Sequence, residues 1–215
     1  MWLPLTEGLK GRVRRHPAYG AWQRMKEDRA LGRWARSAAR ETPPSVFKQH
    51  TVREYARRFG TRTLVETGTY LGEMVEAVAS DFDQIYSIEL DEALYRRAVA
   101  RLGHLRHVIL LRGDSGRLLA EVMPRIETAC LFWLDAHYSG GVTARGVDNT
   151  PIRGELGHIL AATRTEDVIL IDDAHSFDGQ NGYPTVEDLL ALIQGGPPGV
   201  VAVAEDIIRI TPRWP

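Results

Sequence analysis

The chain has 215 residues, of which 44% are hydrophobic and 26% charged, with a formal net charge of −1 at pH 7. That length supports one full-sized domain with a continuous core, and the composition excludes a disordered or fibrous chain. No apolar stretch reaches the roughly 18–20 residues needed to cross a bilayer, and the single cysteine, Cys130, excludes an intrachain disulfide framework.

The opening residues, MWLPLTEGLKGRVRR, put their basic residues after their few apolar ones, the reverse of a secretory signal. With one unpaired cysteine, the expected compartment is the reducing cytoplasm. Charge is unevenly spread: residues 1–41 carry ten Lys/Arg against four Asp/Glu. This marks residues 1–44 as a basic helical extension and residues 45–215 as the main domain. A basic arm suits an anionic partner, although it also describes a solvated helical face. Arginine outnumbers lysine 24 to 3, which points to a GC-rich bacterial genome.

Beyond the arm, strand-like and helix-like segments alternate. Ser45 opens a helix with Phe47, Val52, Tyr55, Ala56 and Phe59 at helical spacing, closed by Gly60. TLVETGT (63–69) reads as a buried strand, followed by a helix over residues 73–82. QIYSIEL (84–90) is a second strand with a helix behind it ending at Gly103. HVILLRGD (107–114) is a third, and Ser115 is placed to cap the short helix before Pro124. ACLFWLDA (129–136) is a fourth. Thr150-Pro151 opens the next helix, proline being tolerated in its first turn. DVILIDD (167–173) is a fifth strand, and Thr185 to Asp188 fits a reciprocal helix cap. VVAVA, the pair Glu205-Asp206 and IIRIT then read as a terminal hairpin whose turn lacks the usual Asn-Gly. Short apolar strands alternating with helices predict an α/β fold, a parallel sheet with helices on both faces. Ligands of such sheets bind outside the carboxyl ends of the strands.

Each of the five strand ends carries a carboxylate. Glu66-Thr67-Gly68-Thr69-Tyr70-Leu71-Gly72 follows the first, Glu89 the second and Asp114-Ser115 the third. Asp135-Ala136-His137 follows the fourth, and Asp172-Asp173-Ala174-His175 the fifth.

This series resembles the class I S-adenosylmethionine-dependent methyltransferases over roughly residues 60–212. The resemblance implies a Rossmann-like, mostly parallel seven-stranded sheet with a C-terminal antiparallel hairpin. It implies that Glu66, Thr67, Gly68, Thr69, Tyr70 and Gly72 form the cofactor loop, whose glycines let the backbone approach the cofactor's amino-acid end. Glu89 matches the acid that takes both ribose hydroxyls, since two acceptor oxygens suit a vicinal diol. Asp114 and Ser115 match the position beside the adenine, and Asp135 the position near the sulfonium. A nicotinamide-binding Rossmann domain competes, but its GxGxxG fingerprint is missing here, with no glycine at position 70.

In this type of sheet the fourth and fifth strands are neighbours roughly 4.8 Å apart, so Asp135, Asp172 and Asp173 are expected to converge. Three carboxylates at one point need a cation, and an all-oxygen set favours Mg²⁺ or another hard divalent ion. The pattern is similar to metal-dependent O-methyltransferases of the catechol and macrolide-sugar types. Chelation would lower the pKa of an acceptor hydroxyl and align it, and a base must still take the proton. His137 is the expected base, with Asp135 beside it, and His175 the reserve. Tyr138 stands where catechol-type enzymes have a lysine, and Asp173 where they have asparagine, which moves the resemblance towards the sugar enzymes. Tyr138, His175 and Tyr183 are expected to line the acceptor, with residues 138–149 as a glycine-containing lid.

The expected activity is thus Mg²⁺-assisted O-methylation of a small polyhydroxylated, sugar-like acceptor, of the macrolide-sugar or mycobacterial methylmannose-polysaccharide type. A homo-oligomer is compatible with this reading, and a membrane partner is not expected. Two alternatives come from other classes. One is a nucleic-acid methyltransferase using the basic arm, weakened because Asp-Ala-His-Tyr replaces the Asn/Asp-Pro-Pro-aromatic motif and no aromatic-interleaved basic stripe occurs. The other is a non-catalytic cofactor-binding subunit.

Overall fold

The buried apolar runs form the strands Thr63–Thr67 (β1), Gln84–Glu89 (β2), Val108–Arg112 (β3), Cys130–Leu134 (β4) and Val168–Ile171 (β5). In this computed structural model, residues 17–36, 42–135, 150–162, 164–196 and 199–213 are described. The five strands pair in parallel, and Gly199–Ala204 (β6) and Ile207–Pro212 (β7) add an antiparallel hairpin. The sheet order is β3-β2-β1-β4-β5-β7-β6. β4 and β5 are buried along their whole length, whereas β3, at the sheet edge, is half-buried. Near-continuous apolar sequence is what a strand covered on both faces requires.

Seven α-helices accompany the strands among the described residues. They are Pro17–Trp34 (α1), Ser45–Phe59 (α2), Glu73–Val78 (α3), Glu92–Leu102 (α4), Ser115–Val122 (α5), Ile152–Ala161 (α6) and Val186–Gln194 (α7). None is long and apolar enough to cross a membrane. The chain divides into two compact units, residues 1–48 and 49–215. In the first, the Trp34 ring lies 4.5 Å from that of Phe47. The second holds the sheet and the main core, built on Val65, Phe132, Leu134, Leu156, Ile169, Ile171 and Leu189.

Local signals set most helix ends. Asp91 caps α4, accepting from the Leu94 amide at 2.8 Å, and Gly103 follows its last turn. Thr185 and Asp188 make the reciprocal cap of α7. Ser115, expected to cap α5, does not: Asp114 is the cap, accepting from the Arg117 amide at 3.1 Å. Ser115 instead donates to Glu155 of α6 at 2.6 Å, and both residues are buried. Glu155, 40 residues away, decides between two adjacent capping candidates.

At the amino ends of β4 and β5, buried Asp167 accepts from the Cys130 amide at 2.9 Å and from Arg164 Nε at 2.8 Å. Burial raises the pKa of this carboxyl, and the two donors oppose the rise. Asp167→Ala would leave a buried amide and a guanidinium without their acceptor. We expect it to lower stability by about 2–3 kcal/mol, read as a fall in the urea midpoint at unchanged m-value; an unchanged midpoint would show that the network contributes nothing.

Candidate functional site

The loop after β1 has positive φ at alternate residues: Gly68 (87°), Tyr70 (49°) and Gly72 (72°). Gly68 and Thr69 both donate to the Ile88 carbonyl, at 2.9 and 3.2 Å, which folds the loop over the end of β2. Glycine suits the positive φ at Gly72, and a Cβ there, 2.8 Å from Leu102 Cδ1, would also have to displace that buried side chain. Tyr70 takes the left-handed form at a cost of about 1 kcal/mol, offset by its amide donating to Glu89 Oε2 at 2.7 Å.

Glu89 is thereby held at both oxygens, since Oε1 accepts from the Asp91 amide at 2.8 Å. It is 7% exposed, and burial raises its pKa against the pull of those amides. Each oxygen keeps a further lone pair in a fixed direction, the arrangement a vicinal diol needs.

Glu66 stands in register with Ser87 on the neighbouring strand. The Ser87 hydroxyl donates to Glu66, and Thr69 Oγ1 lies 2.6 Å from Ser87 Oγ. Burial pushes the Glu66 pKa up to about 8; the Ser87 hydrogen bond opposes this, and the carboxylates of Asp135 and Glu89 add to it. At neutral pH this carboxyl therefore carries its proton. Thr67 is fully buried, and its hydroxyl has no hydrogen-bond partner among the described residues. Asp114 and Ser115 stand at the end of β3, where α5 and α6 approach so closely that a Cβ added at Gly154 would lie 3.5 Å from Gly116 Cα.

On the other side of the sheet, the Asp135 amide donates to Thr67 O and the Asp172 amide to Leu134 O, each at 3.0 Å. These acids therefore occupy equivalent places on adjacent strands, Asp135 half-buried and Asp172 2% exposed. Asp173 turns out of line: its backbone is left-handed (φ 51°, ψ 53°), and its amide donates to Asp172 Oδ1 at 2.9 Å. Among the described residues, the set of three ligand atoms lying within 4.8 Å of one another is Asp173, His175 and Asp206. Asp135 and Asp172 are not part of that set; the expected trio of Asp135, Asp172 and Asp173 shares Asp173 with it, and the charges of Asp173 and Asp135 both act on Tyr183.

Tyr183 is half-buried and meets the Phe177 ring edge-on at 5.5 Å. Burial pushes its pKa up to about 12, and the charges of Asp173 and Asp135 add to the rise. Tyr183 is therefore a proton donor beside both strand ends and not a base. His137, Tyr138 and the expected lid over 138–149 lie outside the described residues. Sequence reasoning missed Ser87, Glu155 and Asp206; strand register could have found Ser87, two residues before Glu89 and on the same face.

No family model matches the chain, and no curated protein matches it by sequence. Solved structures do match by shape. The SAH-bound methyltransferase PaMTH1 from Podospora anserina is similar at TM-score 0.58 and 17% identity, covering 100% of this chain and 99% of that one. The SAM-bound O-methyltransferase TomG from Streptomyces achromogenes, involved in tomaymycin synthesis, gives 0.57 and 15%, covering 88% and 89%. An O-methyltransferase from Bacillus cereus in complex with SAH gives 0.57 and 15%, covering 86% and 90%. At these identities the likeness is one of fold: the sheet is that of the Rossmann-like methyltransferases, as expected.

Proposed function

We propose that the chain transfers a methyl group from S-adenosylmethionine to a hydroxyl oxygen of a small polyhydroxylated acceptor, a sugar or glycoside. The observation that carries this reading is Glu89, fixed by the Tyr70 and Asp91 amides beside a loop with three positive-φ residues. The residues present fit that donor. Glu89 would take the ribose hydroxyls, and the backbone of Gly68 to Gly72 would approach its amino-acid end. Asp114 and Ser115 would flank the adenine. S-Adenosylmethionine supplies a methyl already activated by its sulfonium. That TomG and the Bacillus cereus enzyme are O-methyltransferases with SAM or SAH bound supports the choice of donor and of oxygen as acceptor. For the acceptor, the acids Asp135 and Asp173 with Tyr183 offer a polar wall suited to hydroxyl groups.

Magnesium is a separate matter. Asp135, Asp172 and Asp173, the acids that close β4 and β5, are the residues that would hold it, and their hard oxygen donors suit that ion. No step is derived through the ion.

Two measurements test the reading. Calorimetric titration with S-adenosylhomocysteine should show stoichiometric binding, and incubation with S-adenosylmethionine and a panel of monosaccharide glycosides should release S-adenosylhomocysteine. EDTA should abolish that turnover and added Mg²⁺ should restore it. Absence of any binding would refute the proposal, and turnover indifferent to chelation would remove the ion from it.

A further inference from the structure

β6 is the outer strand at the hairpin end of the sheet, and no strand pairs with its far edge among the described residues. An exposed apolar edge is a template for further pairing, and proteins blunt such edges with charge, proline or a bulge. The opposite edge strand, β3, ends in Arg112, which is ion-paired with Glu92 at 3.2 Å. β6 has none of these devices. Its six residues, Gly-Val-Val-Ala-Val-Ala, are uncharged and pair with β7 without interruption from Gly199↔Pro212 to Ala204↔Ile207. Val200 and Val203 are each 51% exposed.

The hairpin turn fixes which backbone groups of β6 face outwards. Glu205 and Asp206 both have positive φ (45° and 60°), the type I′ form, whose flanking residues are joined by hydrogen bonds. Ala204 and Ile207 are therefore a hydrogen-bonded pair, and bonding alternates along the ladder from there. Ala204, Ala202 and Val200 turn their N–H and C=O towards β7, while Val203, Val201 and Gly199 turn theirs away from it. These three outward positions are symmetric about Val201. A two-fold axis beside Val201, perpendicular to the sheet, sets Val201 against its counterpart in a second copy and Gly199 against Val203 at either end. Every outward donor and acceptor is then satisfied, by six N–H···O=C bonds in all. Residues paired across strands share a face, so Val203 packs over Gly199 and Val200 beside Ala202, a large residue with a small one each time. Because Pro212 lies opposite Gly199, the acidic turn Glu205-Asp206 of one copy also approaches the exposed Arg213 of the other.

We infer that the free edge of β6 is a self-recognition surface, at which two copies of this chain pair antiparallel and join their seven-stranded sheets into one. The partner is a second copy because the outward backbone groups, the alternation of large and small side chains and the charges at the two ends all match themselves under that one axis. Each copy offers the edge once, so the assembly closes at two. Pro197 and Pro198, which precede the strand in the sequence, lack the N–H that would lengthen the pairing. Six residues a side are far fewer than the roughly 20–30 of a standard interface. The dimer is accordingly reversible and forms at micromolar concentration. Nothing in this inference depends on methyl transfer.

The test has two arms on the full chain. In the first, sedimentation velocity across the micromolar range should show monomer passing to dimer as concentration rises. Val203→Pro removes an outward N–H from each copy, and proline is tolerated where an edge N–H faces solvent. It should weaken dimerisation at least about tenfold while the monomer keeps its circular dichroism and melting temperature. In the second, cysteine cross-linking under mild oxidation reads the register, the native Cys130 being buried. Val201→Cys sets two thiols on residues about 5.5 Å apart at Cα and should give a disulfide-linked dimer. Val203→Cys sets them about 14 Å apart and should not. This arm stands even where the proline variant fails to fold. A wild type that is monomeric at every concentration overturns the inference. So does a dimer that folded Val203→Pro leaves equally tight, or cross-linking of Val203→Cys in preference to Val201→Cys.

Discussion

Glu66→Gln is expected to make the protein more stable at alkaline pH and to flatten its stability profile between pH 4.5 and 8. The sign follows from the direction of the shift. In the unfolded chain Glu66 loses its proton near 4.5, whereas in the folded protein it keeps it to about 8. Below 4.5 both states are protonated and the group imposes no penalty. Between the two values only the folded state binds the proton, so stability falls as pH rises, and above 8 the loss is complete. Each unit is worth about 1.4 kcal/mol, so a span of this width is on the order of 5 kcal/mol. The cause is burial: Glu66 is 1% exposed and lies close to the charges of Asp135 and Glu89. Glutamine keeps an acceptor oxygen for the Ser87 hydroxyl and cannot ionise. Urea midpoints measured from pH 5 to pH 9 check this. If wild type and variant run parallel across that range, the buried carboxyl does not titrate as described.

Glu89→Ala should weaken binding of S-adenosylhomocysteine by about 10²-fold or more. Two hydrogen bonds from a charged acceptor to a diol are together worth about 3 kcal/mol or more, and each 1.4 kcal/mol is tenfold in affinity. The substitution also releases the Tyr70 and Asp91 amides, which loses the pre-organisation of the loop as well as the contacts. Glutamine is no conservative replacement here, because its amide nitrogen would face one of those two donors. Since burial holds the Glu89 pKa above the ordinary carboxylate value, affinity should also weaken in mildly acid solution, where the protonated group offers a poorer acceptor. Calorimetric titration of wild type and variant at neutral and acid pH gives both results. Equal affinity in the variant would remove Glu89 from the donor site.

Both predictions turn on strand ends, and these were the most legible part of the chain. Uninterrupted apolar runs marked the five parallel strands because a strand covered on both faces has no polar side to interrupt it. The carboxylate after each run was visible for the same reason, as a sharp change from apolar to charged sequence. The hairpin was readable from its two apolar runs. Its turn, Glu205-Asp206, was readable as the charged pair between them, but the positive φ of both residues was not, because glutamate rarely adopts it. They hold it through bonds that Asp206 makes to Ala174 and His175.

Pairs of neighbours were the least legible. Asp114 and Ser115 are both good caps, and the choice fell to Glu155 on another helix. Asp172 and Asp173 read as one chelating unit, and the left-handed backbone that brings Asp173 near His175 and Asp206 was not visible in the sequence. Ser87 escaped notice because its partner Glu66 is beside it only through the register of β1 on β2.

Sequence alone determined which residues form strands and helices, the order in which they alternate, and that acids close the parallel strands. Those properties follow from periodicity and from the cost of burying charge, which act locally along the chain. Only the tertiary structure decided which acids meet, which one keeps its proton, and which histidine gains a carboxylate partner. Such outcomes depend on register, on backbone dihedrals at single residues and on burial, and each is set by contacts between segments far apart in the chain.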